Sequence, residues 1–148
     1  MMKIGTQLPD LQTENQEGKT IKLHDFKGKK LVIFFYPKAS TPGCTAEACN
    51  LSDNFEKFQD LEYNIVGISA DTVKKQKSFH TKFQFKYDLL ADISKEIIEA
   101  FGVWGKKKFW GKEYMGILRT TFIFDENGIC TQIISEVDTK NHTEQILV

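Results

Sequence analysis

Apolar and polar positions change period several times along this chain, and each change marks an element. Leu31 to Tyr36 is apolar at every position, the mark of a strand buried on both faces, with helices on each side of its sheet. Asn64 to Ser69 reads the same way, and Asp88 to Ala91 is a shorter candidate. Ahead of them, Leu11–Thr13 and Thr20–Leu23 flank the polar turn Glu14–Gly18 and predict an N-terminal β-hairpin, with a loop from Phe26 to Lys30. Between the buried runs the period lengthens. Cys44, Ala48, Leu51, Phe55 and Phe58 recur at steps of four and three, a helix stripe facing the core. Thr41 as N-cap and Pro42 at the first helical position start that helix.

Further on, Asp71 or Thr72 caps a polar helix running to about Phe83, and a helix from Ser94 to Phe101 stops at Gly102. Trp104 to Gly116 has three glycines and three successive lysines, and reads as a loop. Arg119–Phe124 and Ile129–Glu136 read as strands joined by a turn at Asp125–Gly128, where Asn-Gly is a hairpin signal. A short helix from about Asn141 ends the chain. Strands and helices alternate after a β start, so the class is α/β, a central mixed sheet flanked by helices. With 148 residues and no repeat or linker, residues 1–148 are expected to form one domain.

Charge narrows the partners. Twenty basic and twenty acidic residues cancel, so no field for nucleic acid exists, and Lys106–Lys108 alone reads as solvated surface. The longest apolar run falls far short of the roughly 20 residues needed to span a bilayer, so no membrane partner is expected. Met1 to Gly5 carries no export signal. The expected location is the cytoplasm, where closely spaced cysteines more often do redox chemistry or bind metal than staple a fold.

Cys44 falls in the first turn of the predicted helix, where the N-terminus favours the anionic, nucleophilic form of a thiol. Its bland alternative is a small buried hydrophobe. Cys49 is off the stripe, among Thr45, Ser52, Asp53 and Glu56 on the wet face, and taken alone is equally readable as an incidental surface thiol. Cys130, in a predicted strand, reads as a buried apolar residue. A zinc site using His24, His80 or His142 lacks a second ligand pair at metal spacing, so no metal is expected. Five residues along a helix separate Cα atoms by about 8.6 Å, beyond the roughly 6.8 Å a disulfide tolerates. Cys44 and Cys49 can therefore pair only if that turn unwinds. Thr45 to Asn50 carries few large apolar side chains, which predicts that opening it costs little.

The block Phe35-Tyr36-Pro37-Lys38-Ala39-Ser40-Thr41-Pro42-Gly43-Cys44-Thr45, with Cys49, resembles the active-site motif of the peroxiredoxins, in their bacterioferritin-comigratory-protein branch, also called PrxQ. Gly67-Ile68-Ser69, Asp71, Phe101–Gly105 and Gly116-Ile117 with Arg119 are similar to further segments of that branch, so the resemblance spans the chain. It implies a thioredoxin-like fold and a thiol peroxidase acting on hydrogen peroxide and organic hydroperoxides without metal, flavin or other cofactor. Cys44 is then the peroxidatic cysteine and Cys49 the resolving one, closing an intramolecular disulfide that thioredoxin or a similar dithiol protein reduces. Arg119, a surface salt bridge by itself, becomes a fixed charge near the sulfur. Thr41 serves as cap, as a hydroxyl at the reacting atoms, or both. Pro37 shields the sulfur and shapes its pocket.

Glu47 reads only as a first-turn acid favourable to the dipole. Members of the branch are often monomeric, which suits an intramolecular bond. The chain ends at Val148, earlier than relatives usually do, which is expected to weaken the last helix and leave the site untouched. A thioredoxin-like disulfide reductase would instead want Cys-x-x-Cys, and a holdase chaperone would not need its thiols.

Overall fold

The computed structural model describes residues 1–148. Seven strands form one mixed sheet. β1 (Gln12–Asn15) and β2 (Thr20–Lys22) make the N-terminal hairpin; β3 (Lys30–Phe35), β4 (Tyr63–Ser69) and β5 (Asp88–Ala91) run parallel to one another. Past a two-stranded excursion, β6 (Trp104–Phe109) and β7 (Lys112–Ile117), the chain returns as β8 (Thr120–Phe124) and β9 (Cys130–Ile134), antiparallel beside β3. The order across the sheet is β2-β1-β5-β4-β3-β8-β9.

The apolar run of β3 is buried on both sides, as its unbroken pattern demands. Leu31, Ile33 and Phe35 enter one layer with Phe122 and Phe124, under the short helix α4 (Glu96–Ala100). Val32, Phe34 and Tyr36 enter the other, under α1 (Pro42–Asp53), α2 (Phe55–Asp60), α3 (Val73–Phe83) and α5 (His142–Ile146). Alternation along one strand thus feeds two cores, and Cys44 belongs to the second. The Thr72 hydroxyl caps α3 by accepting from the Lys75 N–H at 3.2 Å, and Gly102, at φ 69°, ends the segment after α4. No helix is long and apolar enough to cross a membrane.

Two expectations fail. Trp104 to Gly116 is not a loop but a hairpin in full register from Trp104 opposite Ile117 to Phe109 opposite Lys112. Its turn is the pair Trp110 and Gly111, both left-handed at φ 54° and 76°, which matches the twist of two-residue hairpins. Tryptophan gives no sequence signal for that conformation, and both faces carry lysines, so no apolar alternation shows. The stripe from Cys44 to Phe58 is also not one helix. Asn54 donates through Nδ2 to the Asn50 carbonyl at 2.8 Å, competing with the helical ladder, and the chain breaks there into α1 and α2.

Candidate active site

Where β3 ends, the chain turns out of the sheet through Pro37 to Thr41 and enters α1. The loop is pinned from β4. The Ala39 N–H and the Ser69 hydroxyl both donate to Asp71 Oδ2, at 2.8 and 2.7 Å. Thr41 is at the cap position with extended backbone, yet its side chain makes no cap bond. Its hydroxyl instead donates to the Lys38 carbonyl at 2.8 Å, so the forward cap expected of Thr41 is not made. A carbonyl can only accept, so the Thr41 proton is committed and Oγ1 offers lone pairs alone. With no side-chain cap and Pro42 lacking an N–H, the Gly43 and Cys44 N–H groups have no helical partner.

Arg119 arrives from across the sheet. β8 runs antiparallel to β3 with Thr120 opposite Phe35, so the residue before Thr120 lies beside the start of the loop. Its guanidinium donates from Nη2 to Cys44 Sγ at 3.4 Å and from Nη1 to Glu47 Oε1 at 2.7 Å. Burial works against that charge, but the Cys44 sulfur and the Glu47 carboxylate outweigh it and hold Arg119 above the ordinary arginine range. Gly43 makes room for the contact, since a Cβ there would stand 3.2 Å from Nη2. Pro37 is half-buried and lines an open groove of about 340 Å³ with Trp104, Lys107, Tyr114 and Ile117. Burial, and then Arg119, lowers Lys107.

Glu47 is not a first-turn acid. It lies a turn further along α1, fully buried. Burial pushes its carboxyl up to about 7 against the opposing pull of Arg119. Its Oε2 is 3.5 Å from Nε2 of His142, also fully buried. The sequence pointed to Glu47 only as an acid serving the dipole and to His142 only as one of three histidines for a zinc site that was not expected. Glu47 was signalled, because three residues beyond Cys44 is the same helix face. His142 lies in α5, at the far end of the chain, and no local pattern connects it to Cys44.

Cys49 is half-buried in the unbroken α1, and burial, then Asp53, pushes its thiol up. Its wet face is less wet than expected, since Ser52 is buried and bonds the Lys86 N–H at 3.1 Å. Cys130 is buried in the layer on the opposite side of the sheet from Cys44. All three thiols are free.

The segment between Cys44 and Cys49 is better anchored than expected. The Tyr87 hydroxyl donates to the Ala48 carbonyl at 2.6 Å, and Asn50 is bonded to α5 and the residues before it. Asn50 Oδ1 accepts from the Thr143 N–H at 2.8 Å and Nδ2 donates to the Lys140 carbonyl at 2.9 Å. Opening this turn means breaking those bonds and removing Glu47 from Arg119.

A helix-start thiol, an arginine held against it, and a sheet with parallel strands flanked by antiparallel ones define a thioredoxin-like protein with a thiol centre. Comparison with known proteins makes this specific. The AhpC/TSA family matches residues 4–133. Peroxiredoxin Bcp of Bacillus subtilis (strain 168) is 43% identical over 146 residues, covering 99% of this chain and 93% of that one. Peroxiredoxin Bcp of Escherichia coli (strain K12) is 38% identical, covering 99% and 94%. The Xanthomonas campestris bacterioferritin comigratory protein, described for its alkyl peroxide reduction activity, superposes with a TM-score of 0.90 at 32% identity, covering 98% and 95%. The chain belongs to the AhpC/TSA family of thiol peroxidases, among its Bcp/PrxQ peroxiredoxins.

Proposed function

We propose that this chain, as one domain, reduces hydrogen peroxide and organic hydroperoxides at Cys44, with Cys49 resolving and a thioredoxin-like dithiol protein recycling it. The observation that carries the reading is the Arg119 bridge, which donates to the Cys44 sulfur at 3.4 Å while held by Glu47. The alkyl peroxide activity described for the Xanthomonas relative supports the organic substrates.

The Cys44 thiolate attacks the terminal oxygen of ROOH in line with the O–O bond. An S–O bond forms, the O–O bond breaks, and the hydroperoxide proton passes to the departing alkoxide, so ROH leaves and sulfur is oxidised to the sulfenate, which takes a proton from water to give the sulfenic acid. Charge spreads over sulfur and both oxygens in the transition state. Arg119 and the Gly43 and Cys44 N–H groups are preorganised donors for it. Thr41 Oγ1, with only lone pairs to offer, accepts the O–H of the incoming hydroperoxide and orients it. Pro37 walls the site from water and opens it to the groove. The turn between the thiols then melts, the Cys49 sulfur displaces hydroxide from the sulfenic sulfur, and water and a disulfide result. Two thiols of the reductant return both cysteines to the reduced state. No metal or flavin takes part, one chain suffices, and the setting that fits is the cytoplasm.

Peroxide consumption with a thioredoxin system tests the assignment. Cys44→Ser is expected to abolish it. Cys49→Ser is expected to complete one turnover and then accumulate sulfenic or overoxidised Cys44. Unchanged consumption in Cys44→Ser ends the reading.

A further inference from the structure

Among the buried side-chain oxygens and nitrogens, Glu47 Oε2 alone has no hydrogen-bond partner. Its sister oxygen is taken by Arg119, and the nearest group of opposite character is His142 Nε2 at 3.5 Å. The tautomer of that ring is fixed from behind. Gln145 Nε2 donates to the Glu136 carbonyl at 3.0 Å, so Gln145 Oε1 is an acceptor; it takes the Asp138 N–H at 2.9 Å and faces His142 Nδ1 at 2.7 Å. Nδ1 must therefore carry a hydrogen. In the neutral ring Nε2 is then an acceptor that takes the Thr121 hydroxyl proton at 2.6 Å, and it has no hydrogen to offer the carboxylate oxygen beside it. Glu47 Oε2 is thereby left a buried acceptor with no donor, a cost that one added proton, on Oε2 or on Nε2, removes.

The charges lead to the same place. With Cys44 as thiolate, Arg119 as cation and Glu47 as carboxylate, the cluster would carry one net negative charge inside the protein. One proton on Glu47 or His142 makes it neutral, and buried charge is tolerated only when balanced. The other groups facing the pair are few. Tyr87 faces Glu47 as a neutral phenol held well above its usual range by burial. Asp138 and Arg119 are the charged groups acting on His142.

Resting on Cys44 as the nucleophile, we propose that His142 is a positioning residue for this reaction: with Glu47 it holds one proton behind Arg119, so that the charge of Arg119 serves the Cys44 thiolate. The carboxyl's rise to about 7 and the lowering of His142 by burial both favour a single shared proton over a free carboxylate or a permanent imidazolium. In function this links the docking of α5 to the reactivity of a sulfur in α1. When the turn between Cys44 and Cys49 melts, Glu47 leaves His142 and the arrangement that favours the thiolate is dismantled with it.

Alkylation of Cys44 by iodoacetamide, followed peptide by peptide in the mass spectrometer, reads the thiolate without peroxide, so its outcome is separable from that of the peroxidase reading. His142→Asn is expected to slow alkylation at pH 6.5 about tenfold and move the midpoint of the pH profile up by about one unit. Glu47→Gln, neutral at any pH, removes the shared proton and serves as the reference background. In the Glu47→Gln background, His142→Asn is expected to add nothing. An unshifted profile overturns the proposal, and so does an equal slowing in that background, which makes His142 a packing residue only. Where His142→Asn does not fold, nitrogen NMR of His142 decides in its place. Linkage is reciprocal, so Cys44→Ser must release the pair's proton at lower pH than the wild type, and an identical titration overturns the proposal.

Discussion

Gly43 shows how much a missing side chain does at this site. It precedes Cys44 in α1, and Arg119 Nη2 occupies the space a Cβ would press on at 3.2 Å. Alanine there improves helix propensity, by up to about 1 kcal/mol in a helix interior, while pushing the guanidinium a few tenths of an ångström from the sulfur. Gly43→Ala is therefore expected to keep or raise the melting temperature and to slow reaction with peroxide about tenfold, part of the hundredfold or more lost when such a donor is removed outright. Stopped-flow rates beside a thermal melt check both halves, and a rate equal to the wild type would deny Arg119 its role. At this scale the chain is half legible. Cys44, Cys49, Pro37 and Thr41 lie in one short motif, although Thr41 bonds backward to Lys38 where forward capping was expected. Arg119 stood out only through its resemblance to a family position. Glu47 was visible on the Cys44 face of the helix, but helix periodicity cannot tell a buried acid with a distant partner from an acid serving the dipole.

At the scale of elements, α1 and α5 are fastened through one side chain. Asn50 accepts from Thr143 and donates to Lys140, holding the last turns of α1 in the helical form that keeps the two thiols apart. Asn50→Ala removes both bonds, about 1–2 kcal/mol in sum, and is expected to lower the melting temperature by a few degrees. The same loss favours the open turn. Under excess peroxide this variant should give more Cys44–Cys49 disulfide and less overoxidised Cys44, since overoxidation competes with opening. Mass analysis after a peroxide series checks the ratio, and an unchanged ratio would show that opening begins elsewhere. That clamp adds to opening a cost that the expectation for this segment did not include. Counting apolar side chains between Cys44 and Cys49 misses polar bonds made to residues near the other end of the chain. The core strands were readable because period and burial agree in β3 and β4. β6 and β7 were not, because they lie apart from the main sheet with lysines on both faces and turn on Trp110.

For the molecule as a whole, the site leaves a mark on stability. Glu47 has an ordinary value of 4.5 and is raised to about 7 by burial. The folded state therefore binds its proton more tightly than the unfolded chain does, and the stabilisation linked to that proton is complete below the unfolded value. It is lost as pH climbs through 4.5 toward 7, and the full difference is of order 3 kcal/mol at most. His142 acts in the opposite sense. Burial lowers it, so the fold prefers the neutral ring and gains stability as pH rises toward the ordinary histidine value. The net slope of the wild type is thus a difference of two trends, and a single melt cannot separate them. Comparison with Glu47→Gln can, because glutamine keeps the shape and removes the titration. The wild type's stability relative to Glu47→Gln is expected to be greatest below pH 4.5 and to fall steadily from there to about pH 7.5. Thermal melts of both proteins at half-unit intervals check it. A constant difference would mean that Glu47 is ionised throughout, held by Arg119 alone, with no proton left for His142 to share.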